Sequence, residues 1–135
     1  MPMTFTVESG GNVASQVKLG RHTLRFDQPK SHGGDSSGPS PLVVFASAAG
    51  GCAHYYLAIF LKKRGIPTDD LKVDVTMAKA DDSPPRLGTL DMVVHLPEGV
   101  PAKYLGALEK VVKQCPVYGT LVGTPSMGLE FNQPE

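Results

Sequence analysis

Two cysteines are the only thiols in this chain: Cys52, inside the apolar run "GPSPLVVFASAAGGCAHYYLAIFLKKRG" from Gly38 to Gly65, and Cys115, in "KQCPVYGTL". A thiol can attack as a nucleophile, ligate a metal, or fill apolar space, and each use makes its own demand. Attack requires thiolate. A free cysteine has a pKa of about 8.5 and apolar burial raises it, so a reactive Cys52 needs a cation beside it. A metal site could draw on His32, Cys52, His54 and Cys115, but no CxxC or HxxxH spacing accompanies them. His54, two positions past Cys52, also projects about 200° around a helix from it. The third use, a small buried hydrophobe, suits any cysteine on an apolar helix face. Gly50 and Gly51 weigh against it. Each costs about 1 kcal/mol in a helix interior relative to alanine, which makes sense where another backbone or a substrate must approach beside Cys52.

The elements that must position these thiols follow from the hydrophobic pattern. Phe5 and Val7, Val17 and Leu19, and Leu24 and Phe26 each alternate with polar neighbours and predict three short strands, punctuated by Gly10–Gly11–Asn12 and by Gly20. The segment "DQPKSHGGDSSGPS" is a Gly/Ser/Pro loop of the kind that can carry function. Ser40 followed by Pro41 starts a helix, and Gly65 with Pro67 ends it. Leu71, Val73, Val75 and Met77, then Leu90, Met92, Val94 and Leu96, predict two further strands joined by "ADDSPPRLG". Leu105, Leu108, Val111, Val112 and Cys115 recur at helical spacing up to Pro116, and Met127, Leu129 and Phe131 suggest a last strand. The expected order, βββ-α-ββ-α-β, is α+β.

At 135 residues and 41% hydrophobic content, one domain spanning 1–135 with a real core is expected. Thirteen basic residues balance thirteen acidic ones without any block of like charge, which argues against nucleic acid or an anionic membrane surface as a partner. The start of the chain lacks a secretory pattern and two cysteines are no disulfide scaffold, so a reducing cytoplasm is the default. Pro41 to Leu61 has no charge except His54, which raises the question of a membrane span. Ser47, Gly50, Gly51, His54 and the two tyrosines within it, and amphipathic elements on either side, favour a buried helix of a soluble protein instead. A helix apolar all round needs partners on every side, which a second copy of the chain would supply.

Taken together, "HGGDSSGPSP", "SAAGGCAHYY" and "KQCPVYGTL" resemble the OsmC/Ohr family of thiol-dependent organic hydroperoxide reductases, and the "GGxxxGPSP" and "AAGGC" forms resemble its OsmC-like branch. The resemblance covers essentially the whole chain. It implies an intertwined homodimer with long buried central helices and a site at the subunit interface. Carried onto this sequence, it implies that Cys52 attacks the peroxide, that Cys115 resolves the sulfenic acid as a Cys52–Cys115 disulfide, and that a dithiol reductant, lipoylated in the best-known members, restores the thiols. No metal or other cofactor is implied. The family's activating arginine lies in a "TRF" stretch matched here by "LRF", hence Arg25. By strand alternation alone Arg25 reads equally well as a solvated residue opposite Leu24 and Phe26.

One departure stands out. The family's hydroperoxide reductases hold the arginine with a glutamate nine or ten positions before the helix cysteine, where this chain has Val43 and Leu42. Asp27 and Asp35 lie close enough in sequence to be considered as replacements. The expected function is therefore reduction of organic hydroperoxides through Cys52, Cys115 and Arg25, weakened by the missing acid. The alternative is a binding protein on the same scaffold that holds an apolar or thiol-bearing small molecule. A purely structural dimer with inert cysteines is the third reading. His22 and His95, beside a turn and facing out of a strand, carry no expected role.

Overall fold

The protein is described here from a computed structural model, over residues 2–134. It divides into two compact units, Met1–Ser47 and Ala48–Glu135.

In the first unit, β1 (Val7–Ser9), β2 (Ser15–Leu19) and β3 (His22–Phe26) form an antiparallel meander. Register sets Val7 opposite Val17 and Val17 opposite Leu24, so these apolar residues share one face, with Glu8, Gln16 and Arg25 on the other. Val17 is buried, while Val7 and Leu24 at the flanks are exposed. The two-residue β2–β3 turn begins at Gly20, whose φ of 63° is left-handed, a conformation glycine reaches without steric penalty. The loop that follows β3 leads to α1 (Pro41–Lys62), which starts at the expected proline.

The second unit holds the rest of α1, the hairpin β4 (Lys72–Lys79) and β5 (Leu87–His95), and the short helices α2 (Leu105–Lys113) and α3 (Pro116–Val122). Helix α1 stops where its sequence says it should. Gly65 takes φ 71°, its N–H bonds to the Lys62 carbonyl and the Ile66 N–H bonds to that of Leu61, a closure that satisfies carbonyls left without helical partners. Val73 faces Val94 and Val75 faces Met92 across the hairpin. Leu57, Phe60 and Leu61 of α1 join Leu71 and Leu108 in the core, flanked by Val73, Val94 and Val112. Truncating a residue such as Leu57 to alanine would cost about 2–5 kcal/mol.

One expectation is corrected. Met127, Leu129 and Phe131 belong to no strand, and their exposures of 88%, 87% and 83% show that they touch almost nothing. Alternation supplies a strand's two faces but not its ladder, and among the described residues no strand bonds to the segment. The observed order is therefore βββ-α-ββ-α-α. Within the single chain Leu57, Phe60 and Leu61 of α1 lie in the core, whereas Val43, Phe45 and Tyr55 expose 44%, 47% and 57% of their surface, the apolar sides for which a second copy is the expected cover. Among the described residues α1 is the one helix long and apolar enough to cross a membrane.

Candidate active site

Cys52 sits mid-helix in α1, half-buried, and Cys115 is buried where the chain turns from α2 into α3. That turn follows from the Cys-Pro pair. The extended backbone of Cys115 breaks the helix, and Pro116 takes the first position of α3, where its missing N–H costs nothing. Although 63 positions apart, the two residues have Cα atoms 6.1 Å from each other and are joined as a disulfide, within the usual span of such a bridge. Neither thiol is free.

Gly50, two residues before Cys52, lies against β4: a Cβ there would stand 2.5 Å from Val75 Cγ2. Helix–hairpin packing thus accounts for this glycine. Gly51 is different, because a Cβ on it would meet nothing within 4 Å. Ala53 and Leu57 of α1, Met92 and Val94 of β5, Leu108 of α2 and Tyr118 of α3 line a largely apolar cleft of about 440 Å³, to which neither cysteine contributes its own side chain. Ala53 and Tyr118 are close neighbours of the two cysteines in sequence.

Arg25 belongs to a second constellation, built around the loop after β3. Its Nε–H donates to Ser37 Oγ at 3.0 Å and its Nη2–H to the Gly10 carbonyl at 3.0 Å. Ser37 in turn gives its hydroxyl proton to Asp27 Oδ2, which also accepts the N–H of Ser37 at 2.9 Å and of Asp35 at 3.3 Å, while Oδ1 accepts that of Gln28 at 2.7 Å. Asp27 is buried. The loop backbone is shaped for this: Ser36 takes a left-handed φ of 53°, and a Cβ on Gly34 would collide with the Gln28 carbonyl and reach Asp27 Oδ1 at 2.8 Å. Successive N–H groups in such a turn form an anion-binding concavity, occupied here by the chain's own carboxylate. These bonds, led by the Ser37 hydroxyl and then the Ser37 and Gln28 N–H groups, lower the Asp27 carboxyl from 3.8 to about 2 against the opposing effect of burial.

Asp35, the other acid considered from the sequence, accepts a hydrogen bond from Asn12 at 3.2 Å. His32 contacts Ser31, and His95 pairs with Asp74 across the hairpin at 2.7 Å. No cluster of metal-ligating side chains occurs among the described residues. The first turn of α1 contains no acid. Sequence reading missed Ser37 as the link between Asp27 and Arg25. The available signal was an aspartate leading into a Gly/Ser loop, the pattern in which carboxylates bond nearby backbone N–H groups.

A family model described as OsmC-like protein matches residues 33–130. No curated protein matches the chain in sequence. Among solved structures, the OsmC-like protein of Mycoplasma pneumoniae superposes with a TM-score of 0.76 at 16% identity, covering 92% of this chain and 89% of its own. An organic hydroperoxide resistance protein from Elizabethkingia anophelis gives 0.62 at 23%, with 92% and 91% covered. The organic hydroperoxide resistance protein OhrB of Bacillus subtilis gives 0.59 at 20%, with 90% and 93% covered. At these identities the likeness shows the fold.

Proposed function

The chain belongs to the OsmC-like protein family, and on that premise we propose that it detoxifies organic hydroperoxides by thiol chemistry at Cys52 and Cys115. The observation that carries this reading is the bridged pair, and the residue that follows Cys52, Ala53, lines an apolar cleft. Two cysteines this far apart in sequence yet within bonding reach can cycle between dithiol and disulfide. Cys52 thiolate attacks the terminal peroxide oxygen, the O–O bond breaks, and the substrate leaves as an alcohol once its alkoxide is protonated. The Cys52 sulfenic acid is then attacked by Cys115 thiolate, giving the disulfide and water. A dithiol reductant, such as a lipoylated protein, returns both thiols and is itself oxidised to a disulfide. Arg25 supplies the positive charge that keeps Cys52 ionised. The apolar cleft suits hydroperoxides with hydrocarbon chains better than hydrogen peroxide.

The functional unit in this reading is a homodimer, supported by the exposed apolar side chains of α1, and it works in the cytoplasm, where a reducing milieu keeps the pair cycling. Reduced protein exposed to cumene hydroperoxide should lose both free thiols with one equivalent of oxidant and form the internal disulfide, and Cys52→Ser should consume none. Peroxidase turnover by Cys52→Ser would overturn the reading. One observation favours the alternative of a binding protein: the acid-free first turn of α1, where Leu42 and Val43 stand. Tight uptake of an apolar thiol with no peroxide consumption by the reduced dimer would establish it.

A further inference from the structure

We propose that Asp27 and Ser37 together hold the Arg25 guanidinium in its working orientation, a positioning role taken over from the carboxylate that the first turn of α1 lacks. The inference rests on the reading that Arg25 keeps Cys52 ionised, and it adds residues that neither the family match nor the spacing of the motifs assigns.

The chain of bonds has a defined direction. Ser37 has one proton to donate and gives it to Asp27, so toward Arg25 its oxygen acts as acceptor, the match an arginine donor requires. Ser37 is itself fixed twice to the same carboxylate, through its hydroxyl and its N–H. The carboxylate is fixed in turn by the N–H groups of Gln28 and Asp35. The far side of the guanidinium is tied to the Gly10 carbonyl. Two glycines leave the room: a Cβ on Gly10 would come within 2.8 Å of Arg25 Nη1, and one on Gly38 within 3.4 Å of Arg25 Cγ. Three sides of the side chain are therefore built around it. Among the described residues Nη1 has no hydrogen-bond partner, which leaves donors for an anion from elsewhere.

The interposed hydroxyl has an electrostatic advantage over a direct ion pair. A carboxylate in contact with the guanidinium would cancel much of the field that stabilises a thiolate, whereas a serine between them fixes geometry and keeps the cation uncompensated at contact. Asp27 in turn needs no cation, because four hydrogen bonds already satisfy it.

The test uses the reduced full-length protein in a Cys115→Ser background, where Cys52 is the only thiol, and reads its apparent pKa from the pH dependence of iodoacetamide alkylation. Ser37→Thr and Ser37→Val have the same shape and differ only in the hydroxyl, so steric defects fall on both alike, and urea midpoints confirm that each is folded at the assay pH. On the reading that Arg25 supplies the charge, Arg25→Ala should raise the midpoint by about one pH unit. Ser37→Val should raise it by at least half as much, and Ser37→Thr should restore the parent value. If Arg25→Ala raises the midpoint but Ser37→Val and Ser37→Thr agree, the positioning role is wrong and the role of Arg25 stands. If Arg25→Ala leaves the midpoint unmoved, the underlying reading fails and this inference with it.

Discussion

Gly50 lies so close to Val75 that a single added methyl would have to displace the Val75 side chain, or else the helix or the hairpin. Its neighbour Gly51 meets nothing. Overpacking costs about 1–3 kcal/mol and better helix propensity returns about 1 kcal/mol, so Gly50→Ala should destabilise the protein by up to about 2 kcal/mol. Gly51→Ala should keep that gain within the isolated chain. Urea unfolding of both variants under dissociating conditions measures the difference, and equal effects would mean that the close approach does not govern Gly50.

The depressed Asp27 carboxyl makes a prediction about acid. With its folded value lowered to about 2 from 3.8, its contribution to stability is fully present above pH 4 and is lost as pH falls toward 2. Asp27→Asn should be less stable than wild type at pH 5 but lose less on acidification to pH 2.5. Parallel losses, read by urea midpoints at the two pH values, would contradict the assignment.

Val43 offers a place to restore the missing acid. It lies in the first turn of α1, partly open to water, where a negative charge is favoured by about 0.3–1 kcal/mol. If the Asp27–Ser37 pair already does the orienting, Val43→Glu should add little to wild-type hydroperoxide turnover yet recover much of the rate lost in Ser37→Val. It should add nothing when Arg25→Ala is also present. Stopped-flow oxidation with tert-butyl hydroperoxide distinguishes these outcomes.

Sedimentation equilibrium addresses the proposed dimer. Phe45 is 47% exposed on an apolar helix, and Phe45→Asp should shift a micromolar sample from dimer to monomer, because an unpaired carboxylate in an apolar interface costs several kcal/mol. A wild-type chain that sediments as a monomer at that concentration would remove the interface from the account.

Where the sequence was legible, a local rule and the tertiary arrangement agreed. The Ser40–Pro41 start and Gly65 end of α1, and the alternation of β4 and β5, are written in capping and period. The 3.6-residue repeat that carries Leu108 and Val112 inward likewise placed α2. The closing strand failed because a strand depends on a partner that alternation cannot name. The cradle around Asp27 was hidden for a related reason. Three of its donors are backbone N–H groups, which every residue but proline carries, and their convergence arises from a left-handed Ser36 and a glycine with no room for a side chain.

The bridge between Cys52 and Cys115 also has a bearing on unfolding. The ring it closes contains the hydrophobic cluster of the second unit, Leu57, Phe60, Leu61, Leu71 and Leu108. On the chain-entropy account, closing a loop of this length removes freedom from the unfolded ensemble equivalent to about 4 kcal/mol. Oxidised protein should consequently melt well above reduced protein, and its melting temperature should report the redox state of the pair. Each encounter with an oxidant would then leave the molecule harder to unfold and to proteolyse, and each reduction would return it to a softer form. Durability would track chemical history.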